Sequence, residues 1–306
     1  MEFLSFKVIK SGVFTTIQDK GRFSLTHLGV THSGYMDEYA SLAANRLLEN
    51  KLDTNLLEIA FANIEFEATK NTCISITGAY CDFYINENLK ETWKTHNIKK
   101  GDRLKITKIN QGQRVYLAVK NGFNISKEFG SNSTTIKESL GGIGGRQIKN
   151  GDILEFEEFD KSLEKRWHRN NLPIYEKNLT LRVLLSYQEN SFSKEEKEKF
   201  FNSEFEITAD FNRMACKLKG EAINSTLNGI VSEAIAFGSI QIPKDGQPII
   251  LLKERQTIGG YPKIGSVLSI DCFKLAQMKI GSKIRFKEID IKQAQKKLKE
   301  FYFSFS

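Results

Sequence analysis

Short runs of alternating apolar and polar residues recur along the whole chain. They are separated by glycine, proline, asparagine and aspartate, which are typical of turns. The runs are CISIT (73–77), DFYI (82–85), RLKIT (103–107), RVYLAV (114–119), ILEF (153–156), LRVLL (181–185), SIQI (239–242), PIILL (248–252), SVLSI (266–270) and KIRF (283–286). The pattern predicts a mainly β protein built as barrels or sandwiches rather than a doubly wound α/β sheet.

Four segments have helical periodicity instead. In each, a carboxylate or hydroxyl stands near the start, where it can accept hydrogen bonds from free backbone N–H groups. The four predicted helices are residues 36–50 with Asp37 near the start, Ser193 to Phe201 with Glu196 completing a capping box, Asp271 to Met278, and the tail after Asp290.

A short sequence pattern occurs three times. IKKGDRLKI (98–106), IKNGDILEF (148–156) and MKIGSKIRF (278–286) each contain a glycine, then Asp or Ser, then a strand-like run. Such a pattern predicts a tight turn in which glycine supplies the positive φ. A polar stretch, KSLEKRWHRNNLP (161–173), follows the second copy. We therefore predict two β domains, residues 1–165 and residues 166–306 with the terminal helix.

Composition narrows the class of protein. The 306 residues are 40% hydrophobic and 27% charged, with a net charge of +8, as in soluble globular proteins. The lysines are dispersed, so we expect no nucleic-acid partner. We find no signal peptide and no membrane-length apolar run, and we expect a cytoplasmic protein. The four cysteines have no metal-like spacing and are expected to be reduced.

The first candidate site is the glycine-rich segment 12–40. Asp19 and Arg22 stand on either side of Gly21, and Asp37 enters the first helix. Glycine-dense loops beside a helix N-terminus expose N–H groups that can hold an anion. The alternative is a loop that needs glycine for its turns, with Asp19 and Arg22 paired to each other. His27 and His32 lie nearby without supporting ligands, so no metal site is expected.

The second candidate site is segment 129–152, FGSNSTTIKESLGGIGGRQIKNGD. Four glycines surround Ile143 and lead to Arg146, while Ser131 and Ser133 offer hydroxyl groups upstream. The segment matches neither a dinucleotide-binding nor a P-loop motif. Backbone N–H groups and one guanidinium are suited to a carboxylate or phosphate. A flexible linker is the alternative.

The third candidate site combines a predicted hairpin, IQIPKDGQP (240–248), with the loop ERQTIGGYPKIG (254–265). The hairpin is predicted to bring Gln241 near Lys253. In the loop, Gln256, Thr257 and Tyr261 are candidate pocket groups, and Gly259 and Gly260 let the backbone pass close to a ligand. The alternative is a set of polar groups that close turns in a β scaffold.

Together these stretches resemble a known family. The motifs, in order, are TTIQDKGR, GVTHSGYMD followed by AANRLLEN, LLEIAF, ITGA, GSNST with GGIGGR, SEAIAFGSIQIPKDGQP and QTIGGYPKIG. They resemble the family of the 5-oxoprolinase C subunit, also described as allophanate hydrolase subunit 2-like or biotin-dependent carboxyltransferase-like proteins. The chain departs from the family's usual residues at Tyr35, Asn132, Ala215 and Glu254. Asn132 stands where an arginine is usual.

The resemblance implies two cyclophilin-like β-barrel domains and a partner that is similar to the 5-oxoprolinase B subunit. The favoured implied function is ATP-dependent opening of 5-oxo-L-proline to L-glutamate together with the A and B subunits, with ATP and Mg²⁺ as cofactors of the complex. One alternative is a carboxyltransferase component that moves carboxylate to urea or a related amide from biotin carried on another protein. The other is a non-catalytic regulator that binds a kinase inhibitor related to the B subunit.

The resemblance and the residue patterns together give one set of site candidates. For phosphoryl transfer, cationic groups would stabilise developing charge. The expected catalytic residues are Arg22, Arg146, Lys253, Gln256 and Tyr261. The expected substrate- or nucleotide-binding residues are Asp19, Asp37, Ser131, Ser133, Gln241, Thr257, Gly259 and Gly260.

Overall fold

The computed structural model describes residues 5–305. The chain divides into two compact units: the first runs to Arg22 and resumes over Ser33–Tyr175, and the second comprises Phe23–His32 and the chain from Glu176 onward. The sequence-based boundary at residue 165 precedes this division, and residues 23–32 belong to the second unit. Residues 1–4, on which part of the signal-peptide expectation rests, lie outside the described residues.

The first unit is built on one nine-stranded sheet. Six strands follow the order β2-β3-β8-β4-β1-β9, and β5 pairs with β6, β7 and β8; the sheet curls into a half-barrel. The elements are β1 (Phe6–Ser11), β2 (Phe14–Gln18), α1 (Glu38–Leu47), β3 (Leu56–Ala60), β4 (Ile64–Ala68), β5 (Thr72–Ile85), β6 (Asn88–Lys90), β7 (Lys94–Ile98), β8 (Arg103–Val119) and β9 (Ile153–Leu154), with a 3-10 turn at Arg169–Asn171.

Two of these strands are longer than their sequence patterns predicted. The runs 73–77 and 82–85 both lie in β5, and the runs 103–107 and 114–119 both lie in β8. Between the runs, the β5–β8 pairing shifts register near Gly78 instead of ending. A Cβ on Gly78 would lie 2.4 Å from the Arg114 carbonyl oxygen. Glycine therefore lets β8 pass close by at a bulge, where the sequence alone indicated a turn.

The second unit contains a closed seven-stranded barrel, in the order β10-β17-β14-β15-β12-β11-β18, and a separate two-stranded ribbon of β13 and β16. Strand β18 closes the barrel by pairing in parallel with β10. The prediction of a mainly β fold with few helices is confirmed. The elements are β10 (Asn178–Leu185), α2 (Lys194–Asn202), β11 (Glu204–Phe211), β12 (Ala215–Lys219), β13 (Glu233–Ala234), β14 (Ser239–Gln241), β15 (Ile249–Leu251), β16 (Ile258–Gly259), β17 (Lys263–Val267), α3 (Ser269–Leu275), β18 (Lys283–Glu288) and α4 (Ile291–Phe303), with 3-10 turns at Thr26–Leu28 and Glu189–Ser191.

The run SVLSI (266–270) was assigned wrongly to a single strand. Strand β17 ends at Val267, and α3 begins at Ser269. Asp271 does not cap this helix from outside. It lies in the first turn, is buried, and accepts hydrogen bonds from Arg182 at 2.6 and 2.8 Å. An apolar run at a strand-to-helix junction has no periodicity that separates the two elements.

The other three helices begin at or within two residues of their predicted starts, since α1 begins at Glu38 and not at residue 36. Asp37, Ser193 and Asp290 are the N-cap residues of α1, α2 and α4, and each side chain accepts a hydrogen bond from a backbone N–H three residues later. These bonds satisfy donors that have no partner within the helix. Local sequence therefore determined these three starts.

The three copies of the glycine turn have one geometry. Gly101, Gly151 and Gly281 have φ values of 93°, 87° and 84°. Each glycine N–H donates to a carbonyl of a neighbouring strand, at Ala68, Val8 and Ile207 respectively. In each turn the next residue, Asp102, Asp152 or Ser282, accepts a hydrogen bond from a backbone N–H through its side chain. The repeat is thus one structural device used three times.

Each unit has an apolar core. In the first, Phe6 packs against Phe66 and Phe156, with ring centroids 5.7 and 4.8 Å apart. In the second, Phe200 of α2 stacks on Phe286 of β18 at 4.3 Å. All four cysteines are buried, and none of them forms a disulfide. Among residues 5–305 there is no helix with the length and apolar character needed to cross a membrane.

Candidate functional site

The structure brings Asp19, Ser131 and Ser133 together in the first unit. Asp19 follows β2 directly and is 5% exposed. Its Oδ1 accepts hydrogen bonds from the hydroxyl groups of Ser131 and Ser133 at 2.5 and 2.6 Å. Its Oδ2 accepts from the Asn132 N–H at 2.6 Å, and Oδ1 also accepts from the Gly21 N–H. The chain itself thus supplies four donors to this buried carboxylate.

Asn132, which stands at the family's usual arginine position, belongs to the same network. Its Oδ1 accepts from Asn55 Nδ2 at 3.1 Å, and its Nδ2 donates to the Ile125 carbonyl at 2.7 Å. Both ends of the buried amide are therefore bonded within the first unit. The amide has a structural role here.

Arg22 lies under the glycine-rich loop. It is 2% exposed, and its Nε donates to the Glu128 carbonyl at 3.2 Å. The Glu128 side chain accepts from the Gly141 N–H at 2.9 Å. A Cβ on Gly141 would lie 2.1 Å from the Ser133 carbonyl oxygen and 2.6 Å from Arg22 Nη2. The loop needs glycine here because it packs directly on the chain's own guanidinium.

Asp37 is placed by a buried polar cluster at the start of α1. Its N–H donates to the Tyr116 hydroxyl at 2.8 Å, and Tyr116 donates to Glu58 at 2.9 Å. Glu58 also accepts from the Met36 N–H and lies 3.7 Å from Arg114 Nε. Burial raises the pKa of Tyr116 well above its ordinary value. The Tyr116 hydroxyl therefore keeps its proton at neutral pH and donates a hydrogen bond to Glu58.

Arg146 lies at the second glycine turn. Its two terminal nitrogens donate to Asp152 at 2.7 and 2.8 Å, and Nη1 also donates to the Gln147 carbonyl. Asp152 in turn accepts from the Lys149 N–H across the turn. This bidentate pair stabilises the turn. The structure therefore gives this predicted catalytic cation a structural partner of its own.

The second unit brings Gln241, Gln256 and Gly259 together. Gln241 ends β14, is 2% exposed, and its Nε2 has no hydrogen-bond partner among residues 5–305. A Cβ on Gly259 would lie 2.6 Å from Gln241 Nε2 and 3.2 Å from Gln256 Nε2. Two side-chain amides thus approach one glycine, and Gln256 is exposed. We call Gln241, Gln256 and Gly259 the amide cluster.

The neighbouring loop residues hold the ribbon of β13 and β16. The Thr257 carbonyl accepts from the Ile235 N–H at 3.1 Å, and the Gly260 carbonyl accepts from the Ile230 N–H at 2.9 Å. Tyr261 is 43% exposed. Backbone groups of Thr257 and Gly260 therefore have structural partners, while the Tyr261 side chain is accessible.

Lys253 does not lie beside Gln241, so this expectation was wrong. In the β14–β15 pairing, Gln241 faces Ile249 and Ile240 faces Ile250, which places Lys253 beyond the opposite end of the hairpin. Its Nζ is 4.7 Å from the centroid of the Phe237 ring. In an antiparallel pair, residues farther along the second strand lie opposite residues earlier in the first strand. Lys253 therefore lies near residues that precede Gln241, and not near Gln241 itself.

Arg255 adds a second buried cation near Phe237. Its guanidinium donates to the carbonyls of Ile235 and Leu252 at 3.0 and 3.2 Å and lies 6.0 Å from the Phe237 ring. Burial lowers its pKa to about 10. The guanidinium therefore remains charged at neutral pH and holds two backbone carbonyls in place.

A charged pair near this loop was not predicted. Lys263 is buried and forms an ion pair with Glu233, and Gln188 Nε2 donates to the same Glu233 oxygen at 2.9 Å. Hydrogen bonds from Lys263 and Tyr187 hold the pKa of Glu233 below its ordinary value. Both ends of the pair lie in motifs that carry the family resemblance. A lysine inside a buried strand was the signal that could have revealed it.

The two sets of residues have different chemical capacities. The Asp19 network has its hydrogen bonds supplied by the chain, whereas the amide cluster offers a buried N–H donor for a carbonyl or carboxylate oxygen. Among the residues that the structure describes, no group of three or more His, Cys, Asp or Glu could hold a metal ion. The fold is thus a two-unit β protein whose second unit contains a buried amide donor, Gln241 Nε2, without a hydrogen-bond partner among residues 5–305.

Comparison with known proteins gives the family. Residues 28–288 match the carboxyltransferase domain, subdomain A and B. The chain therefore belongs to this carboxyltransferase-domain family, and the resemblance stated from its motifs is confirmed.

Individual relatives fall into two groups. The chain is 31% identical over 291 residues to the 5-oxoprolinase C subunit of Escherichia coli (strain K12), covering 95% of this chain and 93% of that protein. It is 30% identical to a putative urea carboxylase of Emericella nidulans, covering 93% of this chain but 24% of that protein. The crystal structure of the K. lactis urea amidolyase shares the fold, with a TM-score of 0.93 and 24% identity over 99% of this chain and 20% of that one.

Proposed function

We propose that this chain is the C subunit of an ATP-dependent 5-oxoprolinase complex, which opens 5-oxo-L-proline to L-glutamate together with the A and B subunits. Support comes from the similarity to a protein named as the C subunit of 5-oxoprolinase over nearly the full length of both chains. The larger urea carboxylase relative contains this region as about a quarter of its length. By contrast, 93% of the 5-oxoprolinase relative is matched by this chain.

The proposed substrate site rests on one observation, the Nε2 atom of Gln241 beside Gly259, which has no hydrogen-bond partner among the described residues. A lactam such as 5-oxoproline presents a ring carbonyl, a ring N–H and a carboxylate. A buried amide donor satisfies the carbonyl or carboxylate oxygen, and the accessible Gln256 amide both donates and accepts. An unsatisfied buried donor costs about 1–3 kcal/mol of stability. A ligand oxygen that accepts its hydrogen bond would recover that free energy, which would favour binding.

The amide cluster binds and orients the substrate in this proposal. ATP with Mg²⁺, if bound to the complex, would supply the phosphoryl group for activation of the lactam oxygen. Lys253 and Arg255 keep positive charge close to Phe237 in the second unit, and Glu233 holds the Lys263 ammonium. The A and B subunits are the proposed partners, and we place the complex in the cytoplasm.

The test is glutamate release from 5-oxoproline and ATP, measured with the A and B subunits in the presence and absence of this chain. We expect release to require the chain. An assembled, soluble complex with the same activity when the chain is omitted would contradict the proposal.

The second candidate is a carboxyltransferase component that accepts carboxylate from biotin on another protein. The family description and the urea carboxylase relative favour it. Replacing ATP and 5-oxoproline with a carboxybiotinylated carrier protein and urea distinguishes the two reactions. Carboxylated urea formed only when this chain is present would favour the carboxyltransferase. Binding of a kinase inhibitor related to the B subunit, without turnover in either assay, would favour the regulatory alternative.

A further inference from the structure

A small cationic cleft lies in the second unit, between the barrel strands β10 and β18 and the terminal helix α4. Its volume is about 320 Å³, near the lower limit for ligand sites. The cleft is lined by Arg182, Lys287, Glu288, Ile289, Gln293, Lys296 and Lys297. Four of these side chains are cationic and one is acidic, so the cleft favours a small anion.

The charge pattern along β18 changes at this cleft. Toward the start of the strand, Lys283 and Arg285 pair with Glu206 and Glu204 of the neighbouring β11. At the other end, Lys287 is in register with Arg182 of β10. Two like charges on facing positions of adjacent strands destabilise a sheet. Along the exposed face of β18, the facing residues thus have opposite charges near the start of the strand and like charges at the cleft.

Part of the positive charge is already neutralised. Arg182 donates through Nε and Nη2 to the buried Asp271, and Lys297 pairs with Glu300 at 3.0 Å. Arg182 Nη1 takes no part in that pair. Lys287 and Lys296 form no ion pair with any of the described residues. Two ammonium groups and the Nη1 nitrogen of Arg182 therefore remain available at the cleft.

Helix α4 holds the cleft in place. Its N-cap Asp290 accepts the Gln293 N–H at 2.9 Å, and Ala294 packs with Ile289 and Leu268 in a small apolar cluster. These contacts fix the first turns of α4 against the barrel. Because Gln293 and Lys296 lie on those turns, their side chains stay close to Lys287.

We propose that this cleft binds a phosphate group, either as free phosphate or as the phosphate tail of a nucleotide. The tetrahedrally arranged oxygens of a phosphate accept hydrogen bonds from several directions, and a dianion would offset the charges of the Lys287 and Lys296 ammonium groups. Among the described residues, no aromatic side chain lines the cleft, so it offers no ring on which a base could stack. The site is separate from the amide cluster and does not depend on the proposed lactam reaction.

The experiment is an NMR titration of the ¹⁵N-labelled full chain with sodium phosphate at constant ionic strength. We expect saturable shifts of backbone amides in residues 287–297. The Lys287→Gln variant should bind phosphate about tenfold or more weakly, because one charge-assisted contact is lost. The matched control, Lys292→Gln, changes an exposed lysine of the same helix outside the cleft and should leave the affinity unchanged.

ATP without Mg²⁺ identifies the source of the phosphate. Displacement of phosphate from the same amides would assign the cleft to nucleotide phosphates, and retention of phosphate would assign it to the free ion. Shifts that do not saturate, or equal weakening in the Lys287→Gln and Lys292→Gln variants, would overturn the proposal. Both variants change exposed side chains, so both are expected to fold.

Discussion

Asp19 in the first unit and Gln241 in the second are both buried polar residues at strand ends, yet their surroundings differ. The Asp19 carboxylate receives hydrogen bonds from Ser131, Ser133, Asn132 and Gly21. Gln241 Nε2 has no such partner among the described residues. A buried polar group whose bonds are complete stabilises the fold, whereas one with an open donor favours ligand binding. Burial alone does not distinguish the two roles.

The largest expected effect tests the structural role of Asp19. Asp19→Ala leaves two hydroxyl groups and two backbone N–H groups without their acceptor, so we expect the free energy of unfolding to fall by about 3–5 kcal/mol. Urea denaturation of the purified chain measures it. Asp53→Ala, which removes an exposed carboxylate of the same unit, is the control. Unchanged stability with lost activity would instead make Asp19 a ligand-binding group.

A second stability test concerns another buried polar group of the first unit. His96 is 8% exposed, its Nε2 lies 2.8 Å from the Glu91 carbonyl oxygen, and burial lowers its pKa to about 4. The unfolded chain takes up a proton below about pH 6.5, whereas the folded chain does not until about pH 4. Stability should therefore decrease as pH falls through this window, by about 2–3 kcal/mol in total.

Urea unfolding at a series of pH values measures this loss. His96→Gln cannot titrate, so its stability should vary less between pH 6.5 and 4 than that of the parent chain. An identical pH profile for both proteins would contradict a neutral, buried His96.

Gly259→Ala tests the amide cluster with a smaller effect on stability. The new Cβ would lie 2.5 Å from Ile235 Cδ1 and 2.6 Å from Gln241 Nε2. We expect it to push the amides apart, lower glutamate release about tenfold or more, and cost about 1–3 kcal/mol of stability. Gly229→Ala is the control, because its nearest atom, the Gly260 carbonyl oxygen, would be 3.5 Å away. Equal activity of the two variants would remove Gly259 from the site.

The smallest structural effect is expected for Gln256→Ala. Gln256 is exposed, so its loss should change the free energy of unfolding by less than about 0.5 kcal/mol. Glutamate release by the assembled complex should nevertheless fall, because the substrate loses one hydrogen-bonding partner. The variant and the parent chain are assayed side by side. Full activity in a well-folded Gln256→Ala protein would leave Gln241 as the only functional amide of the cluster.

Local features of the fold were predicted well from the sequence because short-range chemistry decides them. Asp37, Ser193 and Asp290 cap their helices through bonds to residues three positions away. The glycine turns at Gly101 and Gly151 follow from a positive φ that glycine accommodates. By contrast, the bulge at Gly78 depends on the approach of a strand that is distant in the chain.

The candidate site was predicted less completely, for the same reason. Arg146 looked available in the sequence, but the turn brings Asp152 into a bidentate pair with it. Lys253 looked close to Gln241 until the strand register placed it at the other end of the hairpin. Lys263 inside a buried strand signals that an acidic partner is needed, but Glu233 is thirty positions away, so the sequence does not show which residue supplies it.

By itself, the sequence determined the mainly β class, the starts of three helices, the repeated glycine turn and the family. Each depends on residue type at short spacing or on motifs in order along the chain. Only the tertiary structure decided which polar groups are already bonded and which are open, since this requires donors and acceptors from distant segments. For that reason the difference between Asp19, whose carboxylate is fully bonded, and Gln241, whose Nε2 is open, exists only in the folded chain.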